Sequence, residues 1–316
     1  MSSHIERPKI LLARYDYMES VGELLKQDFD VECWDNAKDG QIPKEKLVEL
    51  IRGKFGIVIN SAQTIDRDVI AAGAPSLRVV STVSTGVDNV DLKALREHDI
   101  RLGYTCDANK EATAELTVAL LLMTSRKIVQ AMTAVRSGKW DSTLNHPWYN
   151  GQGLHDSTVG IVGYGQIGHS VAMKLKGFLP KQILYTSQKE KSEGTDIGAK
   201  FADLDTLLRS SDFVVLTIAL TSETKGIISR DKIALMKKNA ILVNTGRGVL
   251  LPHMGWASSK SREDMFRIAA NNVIAVLRGT QMPAEYSSHS PQNTRQEKGD
   301  EAPGLATNTR GKILQF

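Results

Sequence analysis

Two α/β units, each a parallel sheet covered by helices on both faces, are the fold that this 316-residue sequence predicts. Three observations carry the expectation. Short apolar runs alternate with amphipathic helical stretches from the N-terminus to about residue 250, the pattern of parallel strands joined by crossover helices. The length is that of two domains of ordinary size. A glycine-rich turn, Gly163-Tyr-Gly165-Gln-Ile-Gly168, stands directly between an apolar strand and a helix.

The elements follow in order. Lys9–Ala13, Gly56–Asn60 and Arg78–Thr82 read as buried strands, and Glu19–Gln27 and Lys44–Arg52 between them carry apolar residues at helical spacing. A longer helix is predicted from Ala112 to Ser137, with Gly138 placed to end it; it could bridge two domains or pack in a dimer. The polar and aromatic stretch His146–Gly153 reads as loop. Trp140 and Trp148 flank a loop that could reach a partner subunit, or are its surface anchors. In the second unit, strands are expected at Thr158–Val162, Gln182–Thr186, Asp212–Ile218 and Ala240–Asn244. Helices are expected at Ile167–Phe178, Asp203–Arg209 and Arg230–Leu235, and a last amphipathic helix at Arg262–Leu277. Ser287–Phe316 has only six apolar residues and is expected to be a disordered tail.

Composition excludes several classes. Lys and Arg number 40 against 36 Asp and Glu, a net charge of +4. The two signs are interspersed, so no nucleic-acid footprint is expected. Two cysteines, Cys33 and Cys106, cannot build a disulfide framework or a Cys-rich metal site. No apolar run approaches the roughly 18 residues of a membrane helix. The N-terminus has no secretory core and the C-terminal Leu-Gln-Phe is no peroxisomal address, so a cytoplasmic protein is expected.

The glycine turn carries the chemistry. Its first glycine permits a tight turn, and its second lets backbone approach a pyrophosphate. The third lets the helix pack on the strand, with the anion at the helix N-terminus. A lone pattern of this kind is weak, but here strand and helix flank it. The next strand ends Tyr185-Thr-Ser-Gln-Lys-Glu-Lys. Thr186 stands where an NAD-preferring site places an acid for the ribose 2′-hydroxyl, and Lys189 and Lys191 follow, so NADP is favoured over NAD. Glu190 opposes that preference, and the two lysines could instead be a solvated loop.

Several segments together resemble the D-isomer-specific 2-hydroxyacid dehydrogenases. They are Val83-Ser-Thr-Gly-Val-Asp-Asn-Val, Ala112-Thr-Ala-Glu-Leu-Thr, the glycine turn, Met236-Lys-Lys-Asn-Ala-Ile-Leu-Val-Asn-Thr-Gly-Arg-Gly, Leu251-Pro-His-Met-Gly and Ala269-Ala-Asn-Asn-Val. Tyr185-Thr-Ser and Arg278-Gly-Thr-Gln-Met-Pro are most similar to the glyoxylate/hydroxypyruvate reductases of that family. The resemblance runs from about Pro8 to Glu285.

It implies two Rossmann-like domains with the active site in a cleft between them. Residues 1–105 with 259–286 would form a flavodoxin-like substrate domain, and 106–258 the dinucleotide-binding domain. Thr85 and Gly86 would give backbone contacts to a substrate carboxylate, and Arg247 would bind that carboxylate and the keto oxygen. His253 would donate the proton as hydride arrives, and Gly255 would complete the substrate contacts. Cofactor contacts would come from Gly163, Gly165, Gln166, Ile167, Gly168, Ser187, Gln188, Lys189, Ala219, Thr245 and Gly255. A homodimer with small 2-keto acid substrates and no metal is implied.

One departure matters. In the family a glutamate between the arginine and the histidine hydrogen-bonds the imidazole. Here only Gly248-Val-Leu-Leu-Pro separates Arg247 from His253, and none of the five is acidic. A βαβ unit takes about 30 residues, so roughly one α/β unit is missing relative to the pattern. A skipped in-frame exon or a faulty gene model would produce such a junction. Trp256 replaces a small polar residue of the pattern and could crowd a substrate. Two functions are therefore expected in competition: an impaired reductase of glyoxylate or hydroxypyruvate, and a non-catalytic dinucleotide-binding or corepressor-like protein.

Overall fold

The computed structural model describes residues 7–139, 150–219, 221, 223–245, 255 and 257–287, apart from the side chains of Met18 and Ser20. The expected tail after Ser287 and the residues Trp140, Trp148, Arg247, His253 and Trp256 lie outside the described residues. The chain divides into two compact units, one from Met1–Asn109 and Ala257–Lys298, the other chiefly Lys110–Trp256.

The first unit holds β1 (Lys9–Leu12), α1 (Glu23–Lys26), β2 (Asp30–Cys33), α2 (Asn36–Asp39), α3 (Lys44–Leu50) and β3 (Gly56–Ile59). It continues with α4 (Arg67–Gly73), β4 (Val79–Thr82), α5 (Leu92–Glu97) and β5 (Arg101–Gly103). Its five strands lie in the order β2-β1-β3-β4-β5, each parallel to its neighbours. All four residues of β3 and of β4 are buried, as expected of a sheet covered on both faces. A short 3-10 turn and a π turn, Tyr15–Tyr17 and Met18–Gly22, precede α1, so the helix expected from Glu19 begins irregularly. Sequence reading passed over β2 and β5, which are only four and three residues long and lack an apolar run.

The second unit holds α6 (Lys110–Ser125), α7 (Ile128–Arg136), β6 (Thr158–Val162), α8 (Gln166–Lys176), β7 (Gln182–Thr186), α9 (Ser192–Asp196) and β8 (Lys200–Phe201). After these come α10 (Leu204–Ser210), β9 (Phe213–Leu216), α11 (Arg230–Leu235) and β10 (Ile241–Asn244). Its sheet runs β10-β9-β6-β7-β8, again all parallel. Counted within the unit this is the doubly wound order 3-2-1-4-5 read from the other edge, and no sixth strand stands beside β10 among the described residues. β9 is wholly buried, whereas Ile241 and Leu242 of β10 are half-exposed.

The single long helix expected from Ala112 to Ser137 is corrected. It is two helices bent by 62°. Lys127 takes a left-handed φ of +53°, which ends the first helix without a glycine. The carbonyl of Ser125 accepts from the Gln152 N–H at 2.9 Å, so a returning segment takes a group that an uninterrupted helix would use. Among the described residues no single helix is long and apolar enough to cross a membrane.

The last helix, α12 (Ser259–Leu277), returns to the first unit and buries Met265, Phe266, Ala269, Ala270, Asn272 and Val273 there. Ser258 caps it by accepting from the Ser261 N–H. The Ser81 hydroxyl donates to the Ala269 carbonyl at 3.0 Å. The segment after α12 is latched to β5. Arg101 makes a paired contact to Glu285, and the Tyr286 N–H donates to the Leu102 carbonyl. Fully buried Asn272 joins both parts: its Nδ2 donates to the Tyr104 carbonyl and its Oδ1 accepts from the Ala284 N–H at 3.0 Å. Asn272→Ala is expected to lower stability by about 2–3 kcal/mol in urea unfolding, because it strips a buried donor of its acceptor; a loss below about 0.5 kcal/mol would contradict this role.

Candidate active site

The glycine turn opens at the end of β6, where the buried run Thr158–Val162 delivers the chain to Gly163. Gly163 has φ +96°, and a Cβ on it would lie 2.9 Å from the Ile218 backbone. Its N–H donates to the Thr186 carbonyl at 3.0 Å, and its carbonyl accepts from the Thr217 hydroxyl at 2.7 Å. A Cβ on Gly168 would overlap that same carbonyl and press on the Thr217 hydroxyl, so α8 approaches β6 as closely as backbone allows. Gly165 differs: it is exposed, and nothing lies within 4 Å of where its Cβ would project.

Gln166 and Ile167 open α8, whose first-turn N–H groups have no partner within the helix. Open amides, a positive helix end and clear space above Gly165 form a cradle for an anion. These residues fit the pyrophosphate of a dinucleotide. Tyr164, between the first two glycines, is buried. Burial pushes its hydroxyl up to about 12, so it stays protonated at neutral pH. The Glu111 carboxylate of α6 is held below the usual range by the Lys174 ammonium of α8 and also accepts from the Ser170 hydroxyl. That contact ties the two helices together beside the turn.

At the end of β7, Thr186 is half-buried, and Gln188, Lys189 and Glu190 are exposed. The Ser187 hydroxyl donates to the Lys189 carbonyl inside the loop. No carboxylate stands at positions 186–189. Ala219, after β9, is exposed, and its carbonyl accepts from the Thr224 hydroxyl at 2.6 Å. The Thr245 N–H donates to the Leu216 carbonyl at 3.1 Å, and its hydroxyl lies 3.1 Å from that of Thr117 on α6. A Cβ on Gly255 would stand 3.2 Å from Thr113, one helical turn before Thr117.

In the first unit, Thr85 and Gly86 follow β4 in a loop braced from below. The Ser84 hydroxyl donates to the Gly86 carbonyl at 2.6 Å, and the Thr85 hydroxyl reaches Asn109 Oδ1 at 3.0 Å. Among the described residues nothing accepts from the backbone N–H groups of Thr85 and Gly86. Arg247 and His253 cannot be placed with them, since both lie outside the described residues. The sequence assigns no site role to Thr217, nor to Thr113 and Thr117, although these two stand in the segment Ala112-Thr-Ala-Glu-Leu-Thr. Only the folded chain brings the three to the turn, to Gly255 and to Thr245.

A family model described as D-isomer specific 2-hydroxyacid dehydrogenase, NAD binding domain, matches residues 118–254. The glyoxylate reductase/hydroxypyruvate reductase of Mus musculus is 35% identical over 301 positions, covering 82% of this chain and 91% of its own. The glyoxylate reductase of Thermococcus kodakarensis is 35% identical over 322 positions, covering 88% and 95%. Among solved structures, the TT0316 protein of Thermus thermophilus superposes with a TM-score of 0.79 at 29% identity, covering 88% of this chain and all of its own. The coverage figures contain a shortfall. In the mouse comparison 82% of 316 residues, some 260, are set against 301 positions, so about forty positions of the relative lie opposite nothing here. The Thermococcus comparison falls short by a similar length.

Two substitutions separate the roles of the glycines. Gly165→Ala is expected to keep the unliganded stability within about 1 kcal/mol of the parent, since its Cβ enters open space at an N-cap. It should nevertheless abolish the rise in melting temperature with dinucleotide. Gly168→Ala is expected to lower the unliganded melting temperature as well. A dinucleotide shift that survived Gly165→Ala would contradict the cradle.

Proposed function

This chain belongs to the D-isomer-specific 2-hydroxyacid dehydrogenase family, and from that premise we propose that it binds NADPH and is built for reducing small 2-keto acids, glyoxylate and hydroxypyruvate, to 2-hydroxy acids. The observation that carries the reading is the cradle of Gly163, Gly165 and Gly168 braced by Thr217. Gln166 and Ile167 extend it. Ser187, Gln188 and Lys189 would receive a 2′-phosphate, and Ala219, Thr245 and Gly255 would flank the rest of the dinucleotide. Bound there, the cofactor supplies the hydride.

The chain's own residues would do the remaining work. The N–H groups of Thr85 and Gly86 would take the substrate carboxylate, as backbone donors commonly do for anions. The planar guanidinium of Arg247 suits paired bonds to the carboxylate and keto oxygen. The His253 imidazole would pass its proton to that oxygen. The domain limits that fit these roles are 1–105 with 259–286 and 106–258.

The five-residue connection from Arg247 to His253 favours a second reading of the same site. It holds no carboxylate to orient the imidazole, and removing such a partner costs orders of magnitude in rate. Glu263 is no substitute, standing exposed in α12. We read the roughly forty missing positions as falling at this junction. On that reading the protein binds dinucleotide well and turns over poorly. We further read it as a cytoplasmic homodimer. The dimer is supported by Ile128, Met132 and Val135, an exposed apolar stripe at helical spacing along α7.

The purified protein should oxidise NADPH with hydroxypyruvate at a rate barely above background. A turnover near the enzyme median of about 10 s⁻¹ would overturn the impairment. Saturating NADPH should still raise the melting temperature, by the equivalent of about 2.7 kcal/mol at a hundred times Kd.

A further inference from the structure

Tyr185 ends the buried part of β7, and none of the roles above uses its side chain. It is fully buried, yet it carries a phenol that must be satisfied. The hydroxyl accepts from the Lys191 N–H at 2.9 Å and donates to the Lys191 carbonyl at 3.1 Å. Both bonds go to one backbone residue six positions on. The segment between, residues 187–190, is therefore a closed excursion whose far end is fastened back to the strand that launched it.

The ring is fixed as firmly as the hydroxyl. It stacks on Tyr164 of the glycine turn with centroids 4.0 Å apart and planes at 29°. Phe201, its partner in register on β8, meets it edge-on at 5.7 Å. Gly194 lets the first turn of α9 lie against the ring, since a Cβ there would overlap it. One side chain thus connects the turn that would hold pyrophosphate with the loop that carries Lys189 and Lys191.

We propose that Tyr185 is a positioning residue for cofactor selectivity: its two-point hold on the Lys191 backbone fixes the 187–191 loop so that the loop's ammonium groups meet a 2′-phosphate. The proposal rests on the NADP preference put forward above. Lysine recognises phosphate as a point charge on a flexible stem, so the backbone that carries it sets where the charge stands. A loop already fixed loses less conformational freedom when the anion arrives. NADH presents only a hydroxyl at that position and draws nothing from the lysines. The hydroxyl of Tyr185 should therefore matter for one cofactor and not the other.

Tyr185→Phe removes the hydroxyl and keeps both ring contacts. Titration calorimetry on the full chain would use NADPH, NADH, 2′,5′-ADP and 5′-AMP as probes. The parent is expected to bind the two 2′-phosphorylated probes at least about tenfold more tightly than the other two. In Tyr185→Phe their affinity should fall about tenfold, while NADH and 5′-AMP stay within about twofold. Unchanged affinities, or an equal loss for all four, would overturn the proposal, the latter marking a merely structural role. A parent with no preference for the 2′-phosphate would remove the NADP reading and the proposal with it. A preference that survives in Tyr185→Phe would remove the positioning role alone. Amide exchange in the parent needs no variant: the Lys191 amide should exchange far more slowly than those of Gln188 and Lys189, and equal rates would overturn the proposal.

Discussion

Each strand of both sheets runs parallel to its neighbours, and a parallel neighbour can be reached only through a crossover of about a dozen residues or more. That constraint orders the chain. Helices must alternate with strands, both faces of each sheet become covered, and the strands themselves become short and apolar. It also fixes where ligands can be met, since every β-to-α turn of a unit emerges at the same edge of its sheet. The glycine turn after β6, the loop after β7, Ala219 after β9 and Thr245 after β10 all share that edge. The same constraint makes the region after β10 anomalous. Only nine residues lie between Thr245 and Gly255, fewer than a crossover and a further strand require.

Backbone geometry does most of the site-building in the second unit. A carbonyl, a hydroxyl and an absent Cβ, at Gly163, Thr217 and Gly168, bring α8 down onto β6 and leave its first amides facing outward. Two stacked tyrosines then carry the position of the turn across to the loop after β7. Neither device needs the residues around Arg247 and His253. On the proposed reading, a break at that junction leaves these two devices in place and borders the flanking cofactor contacts Thr245 and Gly255.

Much of this was legible in the sequence, for physical reasons that can be named. Buried parallel strands such as Gly56–Ile59 and Phe213–Leu216 are continuous apolar runs, and the glycine turn has few solutions in backbone space. Short edge strands were not legible. Asp30–Cys33 and Lys200–Phe201 are partly or fully exposed, and their pairing comes from the sheet they join rather than from their own pattern. The bend at Lys127 was hidden because apolar spacing continues across it, while the break depends on one left-handed residue and a distant amide. Thr217 and the hold of Tyr185 on Lys191 were hidden for a similar reason, being contacts between single residues that no spacing announces. The absence of a carboxylate between Arg247 and His253, by contrast, could be read only from the sequence, because those residues lie outside the described ones.

The proposed reading is that this chain keeps a cofactor site and lacks the α/β unit that would complete the pair Arg247 and His253. Grafting the corresponding segment of a glyoxylate reductase between Gly248 and Pro252 tests it most directly, with hydroxypyruvate turnover and NADPH affinity measured on parent and graft. The account predicts that turnover rises by orders of magnitude toward about 10 s⁻¹ while the NADPH Kd changes by less than about threefold. A parent that already turns over at that rate, or a folded graft that binds NADPH equally well and gains no activity, would contradict it.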